Sequence, residues 1–317
     1  MPPWNTNVEE ARRNLLRIAK SLVKLLRPQF LVAGLFLNLL GAAVAAHLGS
    51  DISLTKLLTF QLVISSCQLA GAVANEYADT ATDAINKNRT WFSGGSGEFA
   101  LGRISRRVVI ALGVFWTISA VAGMSILSFF LGGGVGLFIL MTVGLVLALG
   151  YSISPLRFSY RGVGELTMGA MVSFLGPTAS FLAQHGSWDN SILAVTTPLV
   201  FQMMALMMVV EYPDFEADSV AGKRNLVVRL GRDRAWALGI AMLLLGAASA
   251  LIGMALGLPS IAAVAMALIL LLETAFFWGI QGIVRRKPSF FWSTAGVSGF
   301  YILAIGATAV LLAGIGI

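Results

Sequence analysis

The chain is 317 residues long, and 57% of its residues are hydrophobic while only 12% are charged. Soluble domains carry roughly 25% charged residues. This composition and the mean hydropathy of +0.83 therefore exclude an ordinary soluble domain and indicate a polytopic membrane protein. The single cysteine, Cys67, excludes a disulfide framework or a cysteine-based zinc site within one chain. The net charge of +7 indicates membrane topology and contact with anionic lipid, so no nucleic-acid partner is expected.

Residues 1–28 are predicted to form a cytoplasmic, interfacial amphipathic segment, because basic and apolar residues alternate at helical spacing between residues 9 and 27. Residues 29–317 are predicted to form a single transmembrane domain. Apolar runs long enough to cross a membrane lie at roughly 29–48, 55–78, 108–128, 131–151, 164–184, 191–211, 235–256, 259–280 and 290–315. The expected fold is all-α, with about nine transmembrane helices around a central cavity that opens to the cytoplasm.

The basic residues are distributed asymmetrically along the chain. Every Lys and Arg except Lys56 lies before the first apolar run or after the second, fourth, sixth or eighth. The positive-inside rule then predicts a cytoplasmic N-terminus and cytoplasmic basic loops, and an odd number of spans places the C-terminus outside. The compact chain, with no visible transit peptide, favours a prokaryotic inner membrane.

The first of two acidic clusters closes the second apolar run. On a helix, Asn75, Asp79 and Asp83 share one narrow face with Gln68, because steps of four and seven residues return to nearly the same angle. Ionisable groups at the edge of a bilayer are costly and usually mark a functional site.

The second cluster closes the sixth apolar run, where Glu211, Asp214 and Asp218 share a face by steps of three and four. Two opposed carboxylate faces would hold Mg²⁺, and Mg²⁺ would hold the oxygens of a diphosphate. The alternative is that each cluster is a solvated helix end that happens to be acidic. The occurrence of two acidic clusters, both at helical spacing, argues against that explanation.

Basic residues follow both clusters, among them Arg89 after the first and Lys223 and Arg224 after the second. Cationic groups beside a leaving diphosphate stabilise its growing negative charge. Each residue could equally be part of a positive-inside loop. The glycine-rich residues 93–97 could bring backbone N–H groups to an anion, or could form a mobile linker.

These motifs resemble those of the UbiA superfamily of intramembrane prenyltransferases. The first is N-x-x-x-D-x-x-x-D at Asn75, Asp79 and Asp83, with Glu76 where the family often has Asp. The second is D-x-x-x-D from Asp214, followed by A-G-K and L-V-V-R-L-G. Y-S-I-S-P-L-R at 151–157 and Y-R-G-V-G-E at 160–165 resemble the loop after the fourth span. Y-R-G-V-G-E and the second acidic motif with its A-G-K are similar to the sequences of one branch, the 1,4-dihydroxy-2-naphthoate prenyltransferases of menaquinone synthesis. Residues 92–96 depart from the sequences of that branch.

The resemblance implies Mg²⁺-dependent transfer of a polyprenyl group from an allylic prenyl diphosphate to an aromatic quinone precursor, by diphosphate ionisation and electrophilic alkylation. It implies Mg²⁺ as the cofactor, and polyprenyl diphosphate, an aromatic acceptor and membrane lipid as partners. The catalytic residues it implies are the metal ligands Asp79, Asp83, Asp214 and Asp218, together with Tyr151. Diphosphate binding is expected from Asn75, Arg89, Arg157, Lys223 and Arg224, and Asn38 and Gln68 are candidates for the acceptor pocket.

Several alternatives remain open at this stage. The acceptor could be 4-hydroxybenzoate, homogentisate, a glycerol-phosphate lipid, haem or chlorophyllide. A divalent-cation or phosphate transporter is the rival from another class, although such carriers place their sites near the bilayer midplane. A scaffold with vestigial carboxylates is a third interpretation. Asn38 could instead make an interhelical hydrogen bond, and Glu273 has no evident partner in the sequence.

Overall fold

The computed structural model describes residues 3–288 and 290–315, and within this part of the chain the structure contains helices and no strands. Helices are favoured because a backbone in lipid must satisfy its own hydrogen bonds. Among the described residues, eight helices are long and apolar enough to cross a membrane, and Gly134–Gly150 is a shorter apolar helix of 17 residues. Each of the nine predicted apolar runs coincides with a helix, which confirms the all-helical membrane fold.

The helices are, in chain order, α1 Pro3–Leu26, α2 Leu31–His47, α3 Leu54–Ala78, α4 Thr80–Ile85, α5 Arg106–Ser125, α6 Gly134–Gly150, α7 Gly164–Met168, α8 Gly176–His185, α9 Ser191–Glu211, α10 Phe215–Val220, α11 Leu226–Leu230, α12 Arg232–Ile252, α13 Ser260–Arg286 and α14 Phe291–Ile315. A π-helical stretch, Gly169–Leu175, joins α7 to α8 in one continuous helix, and another, Ile126–Phe130, extends α5.

The N-terminal helix α1 packs against the bundle as well as presenting apolar residues outward. Leu25 is fully buried against Val73 and Val109, whereas Ile18 and Val23 are exposed. The predicted amphipathic helix thus has one apolar side available to lipid, and Leu25 contacts protein instead.

A buried carboxylate connects α1 to the loop that follows α4. Glu98 accepts a hydrogen bond from Ser21 Oγ at 2.6 Å and one from Arg103 Nη1 at 3.0 Å. Lys24 Nζ lies 3.5 Å from the same carboxylate. The N-terminal helix is therefore fastened to the segment that carries the glycine-rich residues.

In the described part of the chain, the two largest clusters of buried apolar side chains form most of the core. The larger lies between α2, α9, α12, α13 and α14, and the smaller lies between α3, α5, α6 and α8. Between α9 and α13, Gln202 Nε2 donates to Glu273 Oε2 at 2.5 Å. Gln202 is therefore the partner of Glu273, which the sequence alone did not identify. A long cavity is lined by residues of both clusters. The π-helical stretch, a distortion often found at functional sites, contributes Met171 and Val172 to its wall.

Candidate functional site

The cavity has a volume of about 690 Å³ and is polar at one end and apolar along most of its length. Its polar end is lined by both acidic motifs, and its apolar part extends along α3 as far as Phe60. Phe60 precedes Asp79 by 19 residues, which at 1.5 Å per helical residue corresponds to about 28 Å. Small residues, including Gly71, Gly144 and Ala148, line this part and leave space between the helices.

The first acidic motif lies where α3 ends and α4 begins. Asp79, the residue between the two helices, is buried and accepts three side-chain hydrogen bonds. Its Oδ1 receives the hydroxyl of Tyr160 at 2.8 Å, and its Oδ2 receives Asn75 Nδ2 and Lys223 Nζ, each at 3.1 Å. Asn75 also donates to Ser152 Oγ at 2.8 Å, so the polar groups of this motif are held in place.

The second acidic motif lies in the turn after α9 and in α10. Asp214 accepts a hydrogen bond from Asn86 Nδ2 at 2.7 Å and another from the backbone N–H of Gly94 at 2.9 Å. Asp218 accepts from Asn225 Nδ2 at 2.8 Å and lies 3.7 Å from Lys223 Nζ. The loop after the second motif therefore supplies Lys223 to Asp79 of the first motif. In return, the loop after the first motif supplies Asn86 and Gly94 to Asp214 of the second.

Among the four aspartates of the two motifs, only Asp83 has a buried carboxylate oxygen, Oδ2, with no hydrogen-bond partner among the described residues; Glu211, at the end of α9, likewise has two such oxygens. Burial raises the pKa of Asp83 to about 8, and the neighbouring carboxylates of Asp79 and Glu76 add to the shift. Burial likewise raises the pKa of Asp218 to about 7, although Lys223 opposes the shift. Such carboxylates are poorly compensated and would gain from a cation in the cavity.

The glycine-rich loop packs against both acidic motifs. Gly94, Gly95 and Gly97 have positive φ angles, a conformation that glycine adopts at little cost. A Cβ on Gly95 would overlap the Asp83 carboxylate, so only glycine allows this close approach. Glu76 accepts hydrogen bonds from the Ser96 backbone N–H at 2.8 Å and from its hydroxyl at 2.5 Å. Glu76, the departure from the family motif, therefore anchors the loop.

The structure brings some of the predicted site residues to the cavity wall. Asn75, Tyr151, Lys223 and Gln68 line it beside the four aspartates. Gln68 Nε2 donates to the Phe30 carbonyl at 3.0 Å, while Gln68 Oε1 is buried and has no partner among the described residues. The cavity wall therefore carries a polar acceptor atom without a partner, 11 residues before Asp79 on α3.

Three predicted diphosphate-binding arginines do not line the cavity. Arg89 donates to the carbonyls of Gly94 at 2.7 Å and Asp83 at 2.6 Å, so it supports the glycine-rich loop. Arg157 stacks 3.7 Å from the centroid of the Tyr160 ring, and Arg224 is exposed. The structure places all three around the site, where they support it or face solvent.

Asn38, a candidate for the acceptor pocket, instead forms hydrogen bonds between helices. Its Nδ2 donates to the Leu57 carbonyl at 3.0 Å and to Gln61 Oε1 at 3.1 Å, and its Oδ1 accepts from Ser180 Oγ at 2.8 Å. The side chain is used between α2, α3 and α8, and Asn38 is not part of the cavity wall.

Arg27 is a site residue that the sequence argument did not assign. It lines the polar end of the cavity, and its Nη2 is buried without a hydrogen-bond partner in the described part of the chain. A left-handed backbone at Arg27, with φ of 48°, separates α1 from Pro28 and turns the chain into the bundle. Two sequence signals concern Arg27: it is the basic residue directly before the first apolar run, which indicates topology, and Arg27-Pro28 resembles the start of the first span in the UbiA superfamily.

The donor set fits Mg²⁺ better than a softer metal. Among residues 3–288 and 290–315, no three His, Cys, Asp or Glu side chains converge closely enough to form a complete metal cluster. Mg²⁺ is usually held by one or two carboxylates with waters and substrate phosphates. The unpartnered Asp83 oxygen and the carboxylates of Asp79, Asp214 and Asp218 at the cavity end suit that incomplete protein shell.

Comparison with known proteins identifies the family. The model of the UbiA prenyltransferase family matches residues 35–295. The chain is 28% identical over 216 residues to the bacteriochlorophyll synthase 34 kDa chain of Chloroflexus aurantiacus, covering 66% of this chain and 64% of that protein. It is 24% identical over 211 residues to the 1,4-dihydroxy-2-naphthoate octaprenyltransferase of Escherichia coli, covering 65% and 67% of the two chains. The match thus spans slightly less than two thirds of the Chloroflexus protein.

Solved structures share the fold over nearly their whole length. The apo UbiA homologue from Aeropyrum pernix K1 superposes with a TM-score of 0.68 at 19% identity, covering 89% of this chain and 98% of that one. The UbiA homologue from Archaeoglobus fulgidus bound to GPP and Mg²⁺ superposes with a TM-score of 0.65 at 17% identity, covering 93% and 99%. Because the family model matches most of the sequence, the chain belongs to the UbiA prenyltransferase family, whose members are membrane prenyltransferases.

Proposed function

We propose that this protein transfers a polyprenyl group from an allylic prenyl diphosphate to an aromatic quinone precursor, with 1,4-dihydroxy-2-naphthoate as the representative acceptor. The observation that carries this proposal is the shape and polarity of one cavity. Four carboxylates, Lys223 and Arg27 meet at one end, and an apolar passage continues from them along α3. A diphosphate and a long hydrocarbon chain need these two environments in the same substrate-binding site.

The polar end is suited to the diphosphate. Asp79, Asp83, Asp214 and Asp218 would hold Mg²⁺, which supplies Lewis-acid stabilisation of the leaving diphosphate oxygens. Arg27 offers a buried, unpartnered Nη2, and Lys223 adds a second cationic group at the same end of the cavity. These two side chains balance the negative charge that grows on the leaving group.

The apolar passage is suited to the prenyl chain and to its cation. When the allylic C–O bond breaks, the electron pair leaves with the diphosphate and positive charge remains on the allylic carbons. Walls formed by Leu37, Val63 and Met141 hold the hydrocarbon chain in an apolar environment away from water. Tyr151 lines the cavity near its polar end and offers an aromatic face to the charge.

The acceptor then attacks the allylic cation from an electron-rich ring carbon, and a ring proton is released as the new C–C bond forms. Gln68 Oε1 can accept a hydrogen bond from a phenolic hydroxyl and so orient the ring. The Escherichia coli relative named as a 1,4-dihydroxy-2-naphthoate octaprenyltransferase supports this acceptor class. The relatives named as bacteriochlorophyll synthase and digeranylgeranylglyceryl phosphate synthase define the competing acceptors within the family.

The proposal includes the predicted orientation and the single-domain organisation. The N-terminus and the acidic end of the cavity face the cytoplasm of a prokaryotic cell, and the C-terminus lies outside, because the basic loops share the acidic end. Residues 1–28 attach to the membrane surface and contribute Arg27 to the site, and residues 29–317 form the catalytic domain. A cation or phosphate transporter is not favoured, because both acidic motifs lie at helix ends and not in broken helices near the midplane.

An acceptor panel tests the proposal. Purified protein in detergent is supplied with geranylgeranyl diphosphate, Mg²⁺ and, separately, 1,4-dihydroxy-2-naphthoate, 4-hydroxybenzoate, homogentisate or a glycerol-phosphate lipid. We expect a prenylated product with the dihydroxynaphthoate, reduced in Gln68→Leu and retained in Gln61→Leu, which changes a glutamine elsewhere on α3. A product formed only with the glycerol-phosphate lipid would contradict the aromatic acceptor.

A further inference from the structure

A second pocket, of about 440 Å³, opens beside the second acidic motif and shares no lining residue with the main cavity. It lies between the first turn of α12 and the last turn of α13. Three arginines line it, namely Arg232 and Arg234 from α12 and Arg285 from α13. Tyr212, which is buried and directly follows α9, forms its inner wall.

Arg232 contacts two aromatic rings and a carboxylate in this pocket. Its guanidinium carbon lies 5.2 Å from the centroid of the Tyr212 ring and 4.7 Å from that of Phe215. Its Nη2 donates to Glu216 Oε1 at 3.2 Å, whereas its Nε is buried and has no partner among the described residues. A buried donor without an acceptor is costly, so this nitrogen is a preformed site for an acceptor that comes from outside the chain.

The pocket has an excess of positive charge. Arg285 Nη2 lies 2.9 Å from Asp233 Oδ1, which is largely exposed, and Glu216 partly balances Arg232. Arg234 is exposed and forms no ion pair within the described ranges. The start of the 21-residue helix α12, which lacks a side-chain cap, adds the positive end of a helix dipole. The chemistry of the pocket therefore favours an anion.

The position of the pocket identifies the source of the anion. Both α12 and α13 are long and apolar enough to cross a membrane, and the pocket lies at the ends that carry their basic residues. Trp278, two turns before Arg285 on α13, is 71% exposed, and exposed tryptophan is typical of the membrane–water interface. Of the possible sources of phosphate, a lipid head group fits a basic pocket at the ends of two such helices.

We propose that this pocket binds the phosphate group of an anionic membrane phospholipid. Arg232 donates its free Nε to a phosphate oxygen, while Arg234 and Arg285 supply further charge-assisted hydrogen bonds. Arginine suits this ligand because its planar group donates several N–H bonds to phosphate. Basic pockets between transmembrane helices are recognised places for such head groups. None of the residues assigned to prenyl transfer takes part, so the two proposals can fail separately.

Native mass spectrometry of the full chain, released from mixed micelles, tests this inference. The probes are phosphatidylglycerol, phosphatidylcholine and inorganic phosphate, with no prenyl diphosphate present. We expect phosphatidylglycerol to be retained in preference to phosphatidylcholine. Arg234→Gln should lower the affinity for phosphatidylglycerol about fivefold, and Arg285→Gln by a similar factor.

Arg286→Gln is the matched control, because Arg286 is exposed beside Arg285 but does not line the pocket. Its affinity for phosphatidylglycerol should match that of the unmodified protein, and all variants should keep the same thermal unfolding midpoint in detergent alone. Equal losses in Arg234→Gln and Arg286→Gln would overturn the proposal, since only general surface charge would then matter. Equal retention of phosphatidylcholine would also overturn it. Inorganic phosphate that displaces the lipid at equal concentration would reject the lipid assignment.

Discussion

Lys223 Nζ lies 3.1 Å from Oδ2 of Asp79, although the two residues are 144 positions apart in the chain. The same ammonium group lies 3.7 Å from Asp218, so one lysine joins the first acidic motif to the second. Lys223 is only 9% exposed. It holds the carboxylates together and contributes positive charge to the cavity end where a diphosphate would leave.

Replacing Lys223 should therefore abolish most of the activity. In Lys223→Met, Asp79 and Asp218 lose their common cation and the leaving group loses a stabilising charge. We expect kcat to fall on the order of 100-fold or more, as when a single stabilising donor is removed from an active site. Steady-state release of diphosphate measures this. Lys87→Met is the control, because Lys87 is exposed in the loop after α4 and should keep full activity. Comparable losses in the two variants would contradict this role.

The contact between Gly95 and Asp83 leads to a second prediction. In Gly95→Ala, a Cβ would overlap the Asp83 carboxylate, and the φ of 64° would also strain any residue other than glycine. We expect at least about a tenfold loss of kcat/KM and a higher Mg²⁺ requirement, because displaced catalytic groups are strongly penalised.

Gly102→Ala separates the overlap from backbone strain. Gly102 has a similar φ of 68°, but a Cβ there would meet no atom within 4 Å. The Gly102 variant should keep its activity and its Mg²⁺ requirement. If the two glycine variants behaved alike, the close approach to Asp83 would not be what requires glycine at position 95.

The buried Glu98 carboxylate predicts a pH-dependent part of the stability. Burial tends to raise the pKa of Glu98, but the hydrogen bonds from Ser21 and Arg103 outweigh it and lower the pKa below its usual value. A carboxyl whose pKa is lower in the folded protein contributes stability above its unfolded pKa, and this contribution is lost as the pH falls through the native pKa. Glu98→Gln should thus cost about 2 kcal/mol at neutral pH.

Thermal unfolding at pH 7 and at pH 4 checks this prediction. The unmodified protein should lose more stability on acidification than Glu98→Gln does, so the difference between them should shrink. Glu9→Gln is the control, because Glu9 and its partner Arg13 are both more than 70% exposed, and such pairs contribute little. A difference between Glu98→Gln and the unmodified protein that stayed constant with pH would contradict the assignment.

A larger side chain in the apolar passage should make the enzyme prefer shorter prenyl donors. Gly144 lines the cavity on α6, and a Cβ there would make only an ordinary contact with Leu175 at 3.9 Å. Gly144→Leu should fill the passage without disrupting the helix. We expect the ratio of kcat/KM for geranylgeranyl over geranyl diphosphate to fall about tenfold. Gly136→Leu, on the exposed side of the same helix, should leave the ratio unchanged. An unchanged ratio in Gly144→Leu would place the prenyl chain elsewhere.

The helices and the convergence of the two acidic motifs could be predicted from the sequence. Long apolar runs must be helical in a membrane, and the helical spacing of Asp79 and Asp83 and of Asp214 and Asp218 places each pair on one face. The structure confirms the helical runs and brings both pairs to one cavity end. The metal-binding role of these carboxylates stays a prediction.

Side-chain direction could not be predicted in the same way. Arg89 is close in sequence to the first motif, yet its guanidinium bonds to the loop backbone. Arg27 reaches the cavity because its backbone is left-handed, a conformation that the sequence pattern does not predict. Asn86 contacts Asp214 across 128 positions, and that contact depends on how the loop folds back. Sequence spacing predicts which face of a helix a residue occupies. The conformation of the loops determines which basic or amide side chains contact the acidic motifs.

Both acidic motifs should act together in metal-dependent cleavage of a prenyl diphosphate. The most direct measurement follows diphosphate release from geranylgeranyl diphosphate by purified protein with Mg²⁺ and 1,4-dihydroxy-2-naphthoate. Release should occur in the unmodified protein and in the control Asp51→Ala, which changes an exposed loop residue. It should stop with EDTA and in both Asp79→Ala and Asp214→Ala. Release that continues in folded Asp79→Ala or Asp214→Ala, or that is unaffected by EDTA, would contradict the account.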